Sequence, residues 1–170
     1  MFLPSYVRTN LYSGKTMKEA LDNARDELKR VDHLFYVSLK YTRTADMMRH
    51  MIERLINAFS FGVDSLLKYA NEKKKISSLP DNPVMKCSLL LRTFAGDDLR
   101  NQINLYLMLR KVIRCEYSKR EEFRRHVTMV CMMDKGEVIE VNIDVLKGYY
   151  DTARAFIDYA SMIVEEREDI

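Results

Sequence analysis

The chain has 170 residues, of which 47% are hydrophobic and 31% charged, so its composition excludes a disordered or low-complexity protein. The 5 glycines and 3 prolines are too few for the many turns of a β-sandwich or barrel and favour long helices. The net charge of +3 does not indicate a nucleic-acid-binding protein unless basic residues cluster locally. We therefore expect one helical domain over residues 1–170, with residues 1–15 as an N-terminal arm.

Two long helices are predicted in the first half of the chain, because apolar residues there follow spacings of three and four. The first helix begins at Thr16, which forms the pattern of a capping box with Glu19. Thr44 is placed to cap the second helix, which ends near Glu72. A polar loop that contains two prolines follows over residues 71–83.

Two shorter helices are expected after this loop. The third spans residues 84–94, and the fourth begins after Gly96 and ends near Tyr117. Ser118 and Glu121 again match a capping box, which predicts one further helical turn.

Residues 126–143 predict a β-hairpin, because apolar side chains there occupy every second position. The two strands flank the turn Asp134-Lys135-Gly136, where glycine allows a left-handed conformation. Both faces are apolar and a lone hairpin is marginal in water, so the bundle or a second copy of the chain must cover the second face. The predicted fold is mainly α: a bundle of four to five helices with one β-hairpin before the C-terminal helix.

Several patterns that would carry chemistry are excluded by their spacing. Ser13-Gly14-Lys15-Thr16 resembles the end of a phosphate-binding loop, but Thr9 replaces the first glycine of that motif. None of the three histidines follows a glutamate by three positions, as di-iron bundles require. The three cysteines lack Cys-x-x-Cys spacing, so neither a metal nor a cofactor is expected.

The sequence predicts a soluble, cytoplasmic protein that does not contact membranes. No apolar run reaches the roughly 20 residues of a membrane span. The first ten residues lack the basic and then apolar regions of a secretory signal. An odd number of cysteines also fits a reducing compartment.

A basic segment lies between residues 110 and 125. Such a cluster beside tyrosines can contact the backbone of RNA or DNA. It can equally be a solvated helix end whose charges offset the helix dipole, which is the commoner case. Its members are Arg110, Lys111, Arg114, Lys119, Arg120, Arg124 and Arg125.

Two Arg–His pairs give the chain a resemblance to the HEPN families. Six residues separate Arg43 from His50, and five separate Arg120 from His126, which matches the family motif of Arg and then His after four to six residues. HEPN proteins are small helical bundles, many of which cleave RNA. The resemblance implies a cleft between two copies in which Arg and His act together, with His as general acid or base. The residue after Arg is Thr or Glu here, where the family usually has Asn.

The sequence leaves two functions open. The first, which we favour at this point, is a non-catalytic helical interaction or scaffold module that self-associates as a homodimer. It follows from the apolar helix stripes, the uncovered hairpin face and the lack of a catalytic motif. The alternative is a HEPN-like ribonuclease or RNA-binding protein that uses one of the two Arg–His pairs.

Overall fold

The computed structural model describes residues 16–166, which form five helices and a three-stranded antiparallel sheet. The prediction of a mainly α fold is confirmed. The expected N-terminal arm, with the phosphate-loop-like residues 13–15, lies outside the described residues. Helix α1 starts as Met17–His33, continues through a π-helical segment, Leu34–Ser38, and ends with Leu39–Tyr41. The other helices are α2, Ala45–Glu72; α3, Pro83–Thr93; α4, Asp97–Val112; and α5, Ile143–Glu165.

The predicted starts of the two long helices are confirmed. The Thr16 hydroxyl accepts a hydrogen bond from the Glu19 amide at 3.2 Å, and the Glu19 carboxylate accepts one from the Thr16 amide at 3.0 Å. At α2, the Thr44 hydroxyl accepts from the Met47 amide at 3.2 Å. These bonds satisfy amide groups that would otherwise lack partners at a helix start.

The core lies where α2 meets the other helices. Helix α1 lies along α2, and α5 packs against both. The Phe59 ring on α2 stacks between Tyr106 of α4 and Phe156 of α5, with centroids 5.5 and 5.4 Å away. These three buried rings join three helices at one point.

The prediction was wrong for the segment after α4. That helix ends at Val112 rather than near Tyr117, and Glu116–Arg120 forms a strand, β1. Ser118 pairs with Val130 across the sheet and caps no helical turn. The reason is that β1 has little apolar alternation of its own and is held in the sheet by its partner strand.

The hairpin therefore belongs to a larger sheet in the order β1-β2-β3, where β2 is Thr128–Met132 and β3 is Val138–Val141. At the turn between β2 and β3, Lys135 and Gly136 have φ angles of 66° and 79°. The left-handed glycine expected there is confirmed. Three side chains on the inner face of the sheet are fully buried, namely Met129, Cys131 and Val141.

An ion pair of the same chain covers part of the outer face of the sheet. Arg120 on β1 donates two hydrogen bonds to Glu140 on β3, at 2.9 and 3.0 Å, and so crosses β2 above Val130. Met132 and its cross-strand neighbour Val138 stay 53% and 47% exposed. On the outer face of the hairpin, Met132 and Val138 are therefore the apolar pair that the described residues leave exposed.

Candidate nucleic-acid interface

A cavity of about 280 Å³ lies where the α1–α2 junction, the loop from β1 to β2 and the start of α5 meet. We call it the arginine cleft. It is lined by Arg43, Arg125, His126, Thr128, Asn142, Ile143 and Asp144.

Backbone contacts hold the first two of these segments together. The Phe123 amide donates to the Arg43 carbonyl at 2.7 Å. The Glu122 carboxylate accepts from the Ala45 amide at 3.1 Å and so helps to cap α2. Further along the loop, the Thr128 hydroxyl donates to the carbonyl of His126 at 2.9 Å. The loop is therefore fixed against the start of α2, which positions both sides of the cleft.

The start of α5 forms the remaining wall. Asn142 caps this helix, and its side-chain oxygen accepts from the Val145 amide at 2.8 Å. Asp144 lies in the first helical turn, where a negative charge is favourable beside the amide end of the helix dipole.

The two arginines and the histidine of the cleft have no partner among the described residues. Among residues 16–166, the structure gives the side chains of Arg43, Arg125 and His126 no hydrogen bond and no ion pair. Asp144 is the one acidic side chain among the described lining residues. Two guanidinium groups and an imidazole against one carboxylate give the cleft donors that suit an anion, and guanidinium groups bind phosphate with two parallel hydrogen bonds.

The two members of each Arg–His pair that the sequence singles out do not line the same cavity. Arg120 is held by Glu140, and the His50 ring lies 3.6 Å from the Glu53 carboxylate. His50 and His33 instead line another cavity, of about 340 Å³, between α1 and α2. That cavity is lined by Lys29, Arg30, His33, Leu34, His50 and Arg54. The arginine cleft takes one member from each pair, Arg43 and His126.

The basic segment does not act as one surface. The ammonium group of Lys119 donates to Asp46 at 2.8 Å, and the Arg110 guanidinium lies 5.7 Å from the centre of the Tyr106 ring. Arg110 is half-buried, whereas the other positions are exposed. Lys111 lies in the last turn of α4, Arg114 follows it, and Arg124 lies in the loop beside Arg125. Of the seven residues, only Arg125 lines the cleft.

Two of the three cysteines are poor nucleophiles. Burial raises the pKa of the Cys87 and Cys131 thiols to about 11, so both are protonated at neutral pH. Within residues 16–166, no group of three or more His, Cys, Asp or Glu side chains is arranged to hold a metal ion. None of the helices in that range is long and apolar enough to cross a membrane.

Comparisons with known proteins give no relative. The chain matches no protein-family model, no curated protein and no solved structure.

Proposed function

We propose that the protein binds nucleic acid, and RNA in particular, through the arginine cleft. The observation that carries this proposal is the meeting of Arg43, Arg125 and His126 in one cavity, where Asp144 is the one acidic side chain among the described lining residues. Two arginines brought together from distant parts of the chain suit a phosphate group better than either does alone. The resemblance to HEPN proteins favours RNA over DNA, and Arg43 with His126 supplies the two side-chain types of their motif.

The first test is the salt dependence of binding. We expect a fluorescein-labelled 20-nucleotide RNA to bind with an affinity that falls steeply as salt rises, because each phosphate contact releases counterions. Arg43→Ala and Arg125→Ala should each weaken binding and lower the slope of log affinity against log salt by about one. Fluorescence anisotropy from 50 to 300 mM salt, roughly the range over which phosphate contacts are screened, measures both.

Arg100→Ala is the matched control, since Arg100 is exposed near the start of α4 and does not line the cleft. Its affinity and salt slope should equal those of the wild type. Absence of RNA binding by the wild type at the lowest salt would contradict the proposal. An equal loss of affinity in Arg43→Ala, Arg125→Ala and Arg100→Ala would also contradict it.

A cleavage assay with the same labelled RNA tests whether the protein is a ribonuclease. If His126 acts as a general acid or base, His126→Ala should abolish cleavage of the labelled RNA on a denaturing gel and leave most of the binding. His50→Ala is the control, because His50 lies in the other cavity. An intact RNA in the presence of wild-type protein would identify a binding module without catalysis.

A second candidate function is self-association, which the sequence favours and one structural observation supports. Met132 on β2 and Val138 on β3 form an exposed apolar pair on the outer face of the sheet, and β3 is an edge strand. An edge strand has backbone groups available for pairing, so a second copy of the chain would satisfy both features.

A further inference from the structure

Two exposed aromatic residues precede the two arginines of the cleft by the same number of positions. Tyr41 precedes Arg43 by two residues, and Phe123 precedes Arg125 by two residues. Both arginines line the cleft, and the hydrogen bond from the Phe123 amide to the Arg43 carbonyl joins the two segments. Tyr41 is 77% and Phe123 is 74% exposed, although large aromatic side chains usually bury most of their surface.

The backbone around Phe123 is strained. Phe123 has a φ angle of 63° and Glu121 one of 54°, which places two side-chain-bearing residues in the left-handed region within three positions. Glycine or asparagine adopts this conformation at lower cost. The ring at position 123 is not needed for packing, so the fold bears this cost for a side chain that faces solvent. Strained residues of this kind cluster at functional sites.

We propose that the cleft takes single-stranded nucleic acid, whose unpaired bases stack on Tyr41 and Phe123 while the phosphates between them contact Arg43 and Arg125. This inference rests on the nucleic-acid function proposed above and specifies the class of strand. The faces of bases in a duplex are covered by their neighbours, whereas those of a single strand are open to aromatic rings.

The spacing of the residues fits one extended strand. Two residues span at most about 7 Å of chain, so the backbone of each aromatic residue lies close to that of the arginine that follows it. A ring and a guanidinium group at this spacing can contact the base and the phosphate of the same nucleotide. The two segments share this spacing but differ in conformation, since Tyr41 ends α1 with the Lys40 ammonium group 5.8 Å over its ring, whereas Phe123 lies in a loop. Each ring would offer one stacking position, and stacking requires no particular base sequence.

The absence of tryptophan from the chain makes the stacking directly measurable. Phe123→Trp places one fluorophore at the proposed contact. We expect a single-stranded RNA to quench this fluorescence as it binds, and the duplex of the same sequence to need at least ten times the concentration. Binding seen by anisotropy without any change in the tryptophan emission would overturn the proposal.

Substitutions of the ring separate stacking from folding. Phe123→Asn removes the ring but tolerates the left-handed backbone, so the unfolding temperature should not fall. Its affinity for single-stranded RNA should drop about tenfold, as expected for one lost base–aromatic stack, and Phe123→Tyr should restore it. Tyr36→Ala is the matched control, because Tyr36 is 70% exposed but lies in the π-helical segment. Its affinity should stay within about twofold of the wild type.

The outcomes distinguish the two proposals. Binding of single-stranded and duplex RNA with equal affinity, unchanged in Phe123→Asn, would overturn the stacking inference and leave the nucleic-acid function intact. Absence of binding to either form would overturn both.

Discussion

At the scale of single residues, Gly62 marks the closest approach of two helices. A Cβ atom at Gly62 would lie 2.6 Å from Cε1 of Phe156 and 2.7 Å from Cδ1 of Ile157, both on α5. The Phe156 ring cannot easily move away, because it is buried and stacked on Phe59. Glycine at this position of α2 is therefore required by packing, despite its cost to the helix.

The substitution Gly62→Ala should destabilise the protein by about 1–2 kcal/mol, because the overpacking exceeds the gain in helix propensity. Gly148→Ala is the control, since nothing lies within 4 Å of a Cβ atom there. That variant should gain about 0.5–1 kcal/mol from helix propensity alone. Urea unfolding followed by circular dichroism measures the free energy of unfolding of both variants. Equal changes of the same sign in the two variants would contradict this account.

At the scale of elements, the chain shows which features a sequence encodes locally. The starts of α1 and α2 can be predicted because each capping side chain bonds to an amide three residues further along the chain. The hairpin turn can be predicted from Gly136. Strand β1 could not be predicted in this way, because Tyr117 is its single apolar residue. Its pairing with β2 decides its conformation, and that contact is visible only in the folded protein.

The arginine cleft illustrates the same limit. Sequence reasoning selected Arg43 and His126 but paired each with a near neighbour along the chain. The actual partners meet through the bond between Phe123 and Arg43, which no local spacing indicates. Both segments have an aromatic residue two positions before an arginine, but the same pattern occurs at Tyr6 and Arg8, so the sequence alone does not single out the cleft.

The sheet is attached to α2 by a carboxylate whose contribution depends on pH. Asp46, in the first turn of α2, accepts hydrogen bonds from the Tyr117 hydroxyl and from Lys119 of β1. The hydrogen bond from Lys119, followed by that from Tyr117, holds the pKa of Asp46 below its ordinary value of 3.8. A carboxyl group with a lowered pKa stabilises the fold above its unfolded pKa, and this stabilisation is lost as the pH falls through the folded value.

Stability should therefore fall on acidification below about pH 4, and Asp46→Asn should make the decline shallower. The effect will be small, because the Asp46 side chain is 60% exposed. Asp158→Asn, at an exposed position of α5, should leave the decline as steep as in the wild type. Thermal unfolding between about pH 2 and pH 6 tests this, and parallel curves for Asp46→Asn and wild type would refute it.

At the scale of the whole molecule, the exposed pair Met132 and Val138 predicts a dimer in solution. A glutamate at position 132 would place a charge in that contact, so Met132→Glu should convert the dimer to a monomer. Met162→Glu is the matched control, because Met162 on α5 is also 53% exposed. Light scattering at micromolar concentration measures the mass, and a monomeric wild type would exclude self-association through this face.

The bond between the Glu122 carboxylate and the Ala45 amide joins positions 77 residues apart. Both walls of the arginine cleft depend on this closure, so the cleft has no counterpart in the unfolded chain or in either part of the chain alone. Anything that occupies it must bind the folded form and thereby stabilise the whole fold by mass action. Ligand binding and folding would then be one coupled equilibrium, in which the ligand concentration changes the free energy of unfolding.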